Sequence, residues 1–514
     1  MSLKVIAYGP LVMGFILTVS NKQQLHLALK LLLISGAALL TAIPQLAQGD
    51  FWLNPFLPLF CYGPFLFFLI KQDKRGAFLL GALQGAFMVL IASNWVWSYP
   101  DLPKTVVLVA VFVAAFAIGS GTFLACIIRD KVSLPAIAIP FIYALVIVIF
   151  EYIRSISPHL FLPLGSVAQS AAYPIFLPLA SWFGTGGFSF LVLCVNIAVC
   201  LFAFPSVISD TIQTREIKRN RIISGSLLAV LCCALLLGHL LSMQKKIELA
   251  YLEEGNTLCA VSDIKRRGRA NNGYLDQHQL LQTIQDAEKK LSCNTVVFPE
   301  YSAVAVKEAP EEASLSKTPS SAVIAGVMMG DKVIDNSLHV DRFSTNSTCL
   351  IGQFFPEIRC AEKTDKQYLA PFAESNLFHK SELLSGFGKS LSKWLGIESN
   401  SATTMTAHSS LPLSRDGDYR VGVITCLELF IPDRSRTIVS QDIDVDLIIA
   451  PTDLSAFASS KTILSQYKRA AALQAASAKK YLLFTSTEDV TLYSPWGNSI
   501  PHKQKSGEIY SWSI

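Results

Sequence analysis

Long apolar segments fill the first half of this 514-residue sequence, and they constrain its fold more than any other feature. A helix needs about 20 apolar residues to cross a bilayer. The first of these segments lacks the basic n-region and small-x-small cleavage site of a signal peptide, so we expect it to be retained. We predict a helical membrane domain over residues 1–243 with about eight spans, which are residues 3–20, 25–43, 51–70, 77–97, 105–128, 134–153, 176–204 and 222–242.

The composition changes near "SMQKKIELAYLEEGN", and residues 244–514 have the character of a water-soluble domain. Only 16% of all residues are charged, which is less than a soluble enzyme of this length carries. The net charge of +5 comes mainly from short loops between the predicted spans, so it does not indicate a nucleic-acid surface. We therefore predict two domains, 1–243 in the membrane and 244–514 outside it.

Basic residues are unevenly distributed among the loops, and this sets the predicted orientation. Three loops are rich in Lys and Arg, whereas "QGD" (48–50) has none, and the rich loops are "KQDKR" (71–75), "RDK" (129–131) and "REIKRNR" (215–221). Because basic loops stay in the cytoplasm, the soluble domain is expected on the opposite, extracytoplasmic side.

The soluble half has an odd number of cysteines, which are Cys259, Cys293, Cys349, Cys360 and Cys426. In an oxidising compartment, four of them could pair and leave one free thiol. Cys349 and Cys360 flank a predicted strand pair, and our hypothesis is that they bridge.

Strands and helices alternate in this half, which favours an α/β layered fold. The predicted strands are 257–264, 294–300, 321–329, 419–426, 445–451 and 481–487, with helices at 274–291 and 459–480 and a β-hairpin at 333–358. In such folds, sites lie at the carboxyl edge of the strands.

Two chemically useful side chains follow predicted strands: Glu300 comes after "TVVFP" and Cys426 after "YRVGVIT". A nucleophilic cysteine needs a base and a group that stabilises the oxyanion. None of the five histidines in this half stands at a strand end, so a carboxylate base is favoured, with Lys366 before "YLAPF" as the cation. Taken one at a time, a packing cysteine, a strand-end cap and a solvated lysine are the simpler interpretations.

The order Glu, Lys, Cys in the contexts "FPE", "K-x-x-L-x-P-F-x-E" and "C-x-E" resembles the nitrilase superfamily, and within it the apolipoprotein N-acyltransferase family. In the first half, "FEYIRS", "FLPLGSVAQS" and "FGTGGFSFL" resemble membrane segments of the same family. The resemblance implies a helical membrane domain followed by a nitrilase-like αββα sandwich. It also implies a bacterial inner-membrane enzyme whose catalytic domain lies on the periplasmic side.

The resemblance implies a role for each matching residue. Glu300 is the general base, Lys366 stabilises the oxyanion, and Cys426 becomes the thioester-bound acyl carrier. Glu374 is expected to orient Lys366, and Glu428 is the carboxylate after the nucleophile, unless it is only a charge at a helix start. The implied partners are a phospholipid donor and a lipidated apolipoprotein acceptor, with no metal, no cofactor and no nucleic acid, for a monomeric protein.

Three departures from the family pattern leave alternatives open. The family has a span after its catalytic domain, whereas this sequence ends on "GEIYSWSI" and has an extra apolar segment at 3–20, which we expect to fill that place. "PTDLSAF" and "PFAESNLF" also differ from the family, so the acceptor is open. The alternatives are a membrane-tethered amidase or hydrolase, and a conjugation-associated relative with another acceptor or a non-enzymatic envelope role.

Two further features have more than one interpretation. The segment 375–412 is either a mobile cover, with Trp394 and Leu395 dipping toward lipid, or an ordinary insertion. Glu151 and Arg154, three residues apart at the end of a predicted span, either contact a lipid headgroup or form a surface ion pair.

Overall fold

A computed structural model describes most of the chain. The described residues are 22–46, 56–94, 104–132, 135–156, 165–203, 214–244, 252, 254–262, 275, 277–306, 320–330, 333–334, 339–340, 343–353, 358–368, 390, 410–412, 419–442, 445–455 and 460–513. The predicted span 3–20 lies outside them, as do Glu374, Trp394 and Leu395.

The described residues of the first half are mainly helical. Its helices are α1 (Lys22–Leu46), α2 (Gly63–Ile70), α3 (Lys74–Ala92), α4 (Lys104–Lys131), α5 (Ile139–Ile156), α6 (Val167–Ser170), α7 (Leu177–Ala203) and α8 (Thr214–Gln244), with short 3₁₀ turns at Leu57–Leu59 and Ala136–Ala138.

Four stretches within the described residues are long and apolar enough to cross a membrane, and they are Lys74–Ala92, Val107–Lys131, Leu177–Ala203 and Arg221–Gly238. They coincide with four of the predicted spans. Large apolar side chains on these helices remain exposed, for example Phe112 (71%) and Ile222 (66%). Such exposure is expected where the surrounding medium is lipid rather than water.

The predicted span 51–70 is divided in the structure. A 3₁₀ turn at Leu57–Leu59 precedes the short helix α2, and each has a proline in its first turn. Proline lacks the N–H that a continuing helix needs, so it favours a helix start over a helix interior. The predicted spans 25–43 and 134–153 overlap α1 and α5.

The second half contains strands and further helices. The helices are α9 (Gln277–Leu291), α10 (Arg434–Gln441) and α11 (Lys461–Ala478), with a 3₁₀ helix at Cys426–Phe430. The strands are β1 (Leu258–Val261), β2 (Thr295–Val297), β3 (Ala303–Val306), β4 (Ala322–Gly330), β5 (Val333–Ile334), β6 (His339–Val340), β7 (Phe343–Gln353), β8 (Arg359–Asp365), β9 (Ser410–Pro412), β10 (Arg420–Val423), β11 (Val445–Thr452), β12 (Tyr481–Ser486), β13 (Val490–Tyr493), β14 (Ser499–Ile500), β15 (Gln504–Ser506) and β16 (Ile509–Trp512).

The described strands form two main mixed sheets. The first has the order β15-β16-β1-β2-β4-β7-β8, with β3 also paired to β4. The second has the order β14-β13-β12-β11-β10-β9. The pairs β1/β2, β2/β4, β10/β11 and β11/β12 are parallel, so their carboxyl ends point the same way within each sheet.

Three apolar clusters define the layers. Leu258, Ile324, Val421 and Leu447, from both sheets, share one cluster between the sheets. Helix α9 covers the outer face of the first sheet. Helix α11 covers the outer face of the second sheet and belongs to the same cluster as the membrane helices. The prediction of a helical membrane domain followed by an α/β sandwich is therefore confirmed.

Helix α11 connects the two halves through polar contacts as well as apolar ones. Arg469 donates to the carbonyls of Pro44 (3.1 Å) and Gln45 (3.3 Å), and Gln466 donates to Ala92 O (3.0 Å). Burial lowers the pKa of Arg469, an effect opposed by the nearby Tyr173. Because buried polar groups are costly unless hydrogen-bonded, these contacts hold α11 at one position against the membrane helices.

The cysteine prediction is confirmed. Disulfides join Cys259 to Cys293 and Cys349 to Cys360, with Cα–Cα distances of 5.8 and 5.5 Å, and Cys426 keeps its thiol. Structural disulfides are typical of oxidising compartments.

Candidate active site

Glu300 and Lys366 form a buried ion pair at the edge of the first sheet. Strand β2 stops at Val297, three residues before Glu300, and β8 stops at Asp365, immediately before Lys366. Lys366 Nζ lies 3.0 Å from Glu300 Oε1, and each residue is only 2% exposed. Leaving either charge buried without the other would be strongly unfavourable, so the two side chains hold each other in place.

Two further groups fix the Glu300 carboxylate. Asn346 Nδ2, from β7, donates to Glu300 Oε1 at 2.7 Å and also to the Tyr301 hydroxyl at 3.0 Å. The backbone N–H of Asp453, directly after β11, donates to Glu300 Oε2 at 3.1 Å. The carboxylate is thus held from both sheets. Sequence reasoning missed Asn346. The available signal was an amide side chain at the start of "NSTCLIG", within a predicted hairpin.

Cys426 begins the 3₁₀ helix after β10. The strand ends at Val423, so two residues separate it from the cysteine. Two residues also separate the end of β2 from Glu300. The backbone φ of Cys426 is +52°. A non-glycine residue in this left-handed region stores strain of about 1–3 kcal/mol and is often found at functional sites. The side chain is partly exposed, and Sγ lies 3.3 Å from the Tyr467 hydroxyl.

Glu428 connects the loop of Lys366 to the loop of Cys426. Its Oε1 accepts the backbone N–H groups of Gln367 (2.8 Å) and Tyr368 (2.9 Å), and its Oε2 accepts that of Thr425 (2.9 Å). The bond to Thr425 is the carboxylate half of a capping box, so Glu428 does stand at a helix start as one interpretation stated. The contacts with Gln367 and Tyr368 give Glu428 an additional role, because they bring the segments of Lys366 and Cys426 together.

Glu151 and Arg154 are buried, whereas the ion-pair interpretation placed them on the helix surface. They are 6% and 2% exposed. Glu151 Oε1 accepts the N–H of Val167 at the start of helix α6 (2.9 Å). Gln169 of the same short helix donates to Phe430 O (3.2 Å), at the end of the 3₁₀ helix that carries Cys426. The ion-pair interpretation was wrong in placing the two residues on the surface, because the backbone of the 165–170 segment binds Glu151 at the end of α5.

Gly326 provides the close approach that positions Glu300. A Cβ at this residue of β4 would lie 2.5 Å from Glu300 Cα and 2.8 Å from Pro299 O. The backbone there is already hydrogen-bonded, through Ser302 N to Gly326 O and Gly326 N to Pro299 O. The turn that presents the carboxylate therefore rests directly on a residue without a side chain.

We expect Gly326→Ala to displace Glu300 and to destabilise the domain by about 1–3 kcal/mol, because overpacking forces the backbone to move. Thermal unfolding measures the loss of stability. Gly186→Ala is the matched control, since a Cβ there meets nothing within 4 Å. Equal unfolding temperatures for the two variants would contradict this account of Gly326.

The site therefore contains the Glu300–Lys366 ion pair and the Cys426 thiol, whose backbone is strained. The buried Glu428 carboxylate binds both the segment after Lys366 and the segment before Cys426. Residues 25–198 match the family model of the apolipoprotein N-acyltransferase N-terminal domain. The match lies in the helical half and does not extend to Glu300, Lys366 or Cys426. No curated protein matches the chain.

Proposed function

We propose that this chain, whose residues 25–198 match the N-terminal domain of the apolipoprotein N-acyltransferase family, is a membrane acyltransferase of that family and uses Cys426 as its acyl carrier. The donor is a phospholipid, and the acceptor is the α-amine of the N-terminal diacylglyceryl-cysteine of a lipoprotein. The enzyme acts at the bacterial inner membrane, with its catalytic domain on the periplasmic side.

The observation that carries the proposal is the buried Glu300–Lys366 pair, with Glu428 linking its loop to that of Cys426. A carboxylate held by three donors is a well-defined base, and a cation within hydrogen-bond reach of it can stabilise an oxyanion formed beside it. Neither group requires a metal or a redox cofactor for acyl transfer.

In the first half-reaction, Glu300 takes the proton from Cys426 Sγ, and the sulfur attacks the sn-1 ester carbonyl carbon. A C–S bond forms, and the Lys366 ammonium stabilises the tetrahedral oxyanion. The ester C–O bond then breaks, and the leaving oxygen takes the proton from Glu300. A lysophospholipid departs and a thioester remains on Cys426.

In the second half-reaction, the lipoprotein α-amine attacks the thioester carbonyl carbon and gives a proton to Glu300. A C–N bond forms, the C–S bond breaks, and the thiolate takes the proton back. The amide product leaves, and the enzyme returns to its starting state. One thiol serves both half-reactions, so the kinetics are ping-pong.

The contact between the two halves supports lipid substrates. Helix α11 shares an apolar cluster with the membrane helices and also carries Tyr467, whose hydroxyl lies 3.3 Å from Cys426 Sγ. The thiol is thus close to the helices that would lie in the bilayer. Two lipid-anchored substrates reach such a site by diffusion in the membrane.

The test uses the full-length protein in detergent or lipid nanodiscs with a defined phospholipid. We expect peptide mass spectrometry to find an acyl group on Cys426. The other free thiols, among them Cys194 and Cys232, serve as internal controls and should stay unmodified. Adding a diacylated lipopeptide with a free α-amine should remove the adduct and yield an N-acylated lipopeptide, whereas an N-acetylated lipopeptide should not react.

The alternatives give different results in the same experiment. An adduct that only hydrolyses, with no transfer to the lipopeptide, favours a membrane-tethered hydrolase. An adduct that transfers to another amine favours a relative with a different acceptor. Absence of an adduct with every phospholipid tested would refute the proposal.

A further inference from the structure

We propose that Tyr467 is a further catalytic residue, whose hydroxyl donates a hydrogen bond to the Cys426 thiolate and so raises the reactive fraction of this thiol near neutral pH. The inference rests on the proposed function for its place in the reaction. Its physical basis is independent of the acyl donor and acceptor, because it concerns only the hydroxyl and the sulfur.

The Tyr467 hydroxyl is held at hydrogen-bond distance from the sulfur. The distance from Tyr467 Oη to Cys426 Sγ is 3.3 Å, across 41 residues of sequence. Tyr467 is 2% exposed. Its ring packs edge-on against Phe430, with centroids 4.7 Å apart, and lies 6.4 Å from the Phe484 ring. Since Phe430 ends the 3₁₀ helix that Cys426 begins, the ring and the thiol are positioned by the same element.

The packing of the ring does not by itself require a tyrosine. A phenylalanine would make the same contacts with Phe430 and Phe484, whereas a buried hydroxyl is costly unless it has a hydrogen-bond partner. A neutral hydroxyl also donates to a thiolate without competing for the proton that Glu300 must accept. Hydrogen bonds to a charged acceptor are about twice as strong as neutral ones. The contact therefore favours the thiolate over the thiol.

The same contact serves both half-reactions. In the first, it stabilises the thiolate that attacks the ester. In the second, it stabilises the thiolate that leaves when the amine attacks the thioester. The sulfur of the thioester carries no negative charge. Tyr467 therefore stabilises the attacking and the leaving thiolate more than it stabilises the acylated intermediate.

Tyr467→Phe removes the hydroxyl and keeps the ring, and we test it by the pH dependence of Cys426 alkylation with iodoacetamide. Peptide mass spectrometry follows Cys426 alone in the full-length protein, without phospholipid. The variant loses the hydrogen bond that stabilises the charged form of the sulfur. We therefore expect the midpoint pH of alkylation to rise by about 1 or more, and the rate at pH 7 to fall at least about tenfold.

Tyr493→Phe is the matched control, because Tyr493 is a buried tyrosine on β13, 5% exposed, that takes no part in the mechanism. Its midpoint pH should equal that of the unmodified protein. An unchanged or lowered midpoint in Tyr467→Phe would overturn the inference, since a lowered one means that the hydroxyl accepts from the thiol. Thermal unfolding of both variants separates a loss of fold from a loss of the hydroxyl.

The alkylation midpoint tests the role of Tyr467, whereas the acyl adduct on Cys426 tests the proposed function, so failure of one can be told from failure of the other. A raised midpoint without any acyl adduct means that Tyr467 activates the thiol for some other chemistry. An acyl adduct with an unchanged midpoint means that the acyltransferase proposal stands and the role of Tyr467 does not.

Discussion

Lys366→Met is expected to lower the rate of Cys426 acylation by about 10²–10³, the usual cost of removing one oxyanion-stabilising donor. The substitution keeps most of the side-chain volume and removes the charge. It also leaves the Glu300 carboxylate, 2% exposed, without its cation. Breaking a buried pair in this way costs about 3–5 kcal/mol of stability, so both the rate and the unfolding temperature should fall.

The control for this prediction is Lys290→Met on helix α9. Lys290 pairs with Asp286 at 3.2 Å, and the two side chains are 55% and 36% exposed. Partly exposed pairs contribute about 0–1 kcal/mol, so the acylation rate should not change and stability should fall little. The rate is measured as acyl adduct formed on Cys426 with time.

A double variant separates catalysis from folding. Glu300→Gln together with Lys366→Met neutralises both partners, so no unpaired charge remains buried. We expect it to recover much of the stability lost in Lys366→Met and none of the activity. Recovery of activity together with stability would show that the pair is structural only and would remove Lys366 from the mechanism.

Glu428→Ala is expected to lower the rate of Cys426 acylation about 100-fold, although Glu428 transfers no proton and forms no bond in the proposed mechanism. Its carboxylate accepts the N–H groups of Gln367, Tyr368 and Thr425. Each buried donor left without an acceptor costs about 1–3 kcal/mol, so both loops should shift. Small displacements of reacting groups can cost about 10² in rate, even when no reacting group is removed.

Two measurements show whether Glu428 acts by positioning. Alkylation of Cys426 requires only the thiol and should fall much less than acylation, which requires Cys426 and Lys366 together. Glu428→Gln keeps an oxygen acceptor and should recover part of the acylation rate. The exposed Glu362 provides the control variant Glu362→Ala, with no expected effect. Equal losses of alkylation and acylation would contradict a positioning role.

The division into a membrane half and an α/β half follows from the sequence because both depend on local patterns. Runs of about 20 apolar residues and strand–helix alternation need no knowledge of distant contacts. The predicted bounds and number of the strands were less accurate than the division into two halves. The predicted hairpin at 333–358 proved to be β5/β6 followed by the longer pair β7/β8, and β13–β16 follow the strand predicted to be the last. These differences depend on pairing partners that local patterns do not specify.

By itself, the sequence determined the division into a membrane half and an α/β half, and it offered Glu300, Lys366 and Cys426 as candidates for a base, a cation and a thiol. It also predicted that four of the five soluble-half cysteines could pair, but it left the partners open. Only the tertiary structure decided how these groups are held. The contacts of Glu300 with Asn346 and Lys366 span 46 and 66 residues of sequence. The contact of Tyr467 with Cys426 spans 41. Hydrogen bonds act over about 3 Å, so these partners were set by the packing of sheets and helices rather than by any sequence pattern.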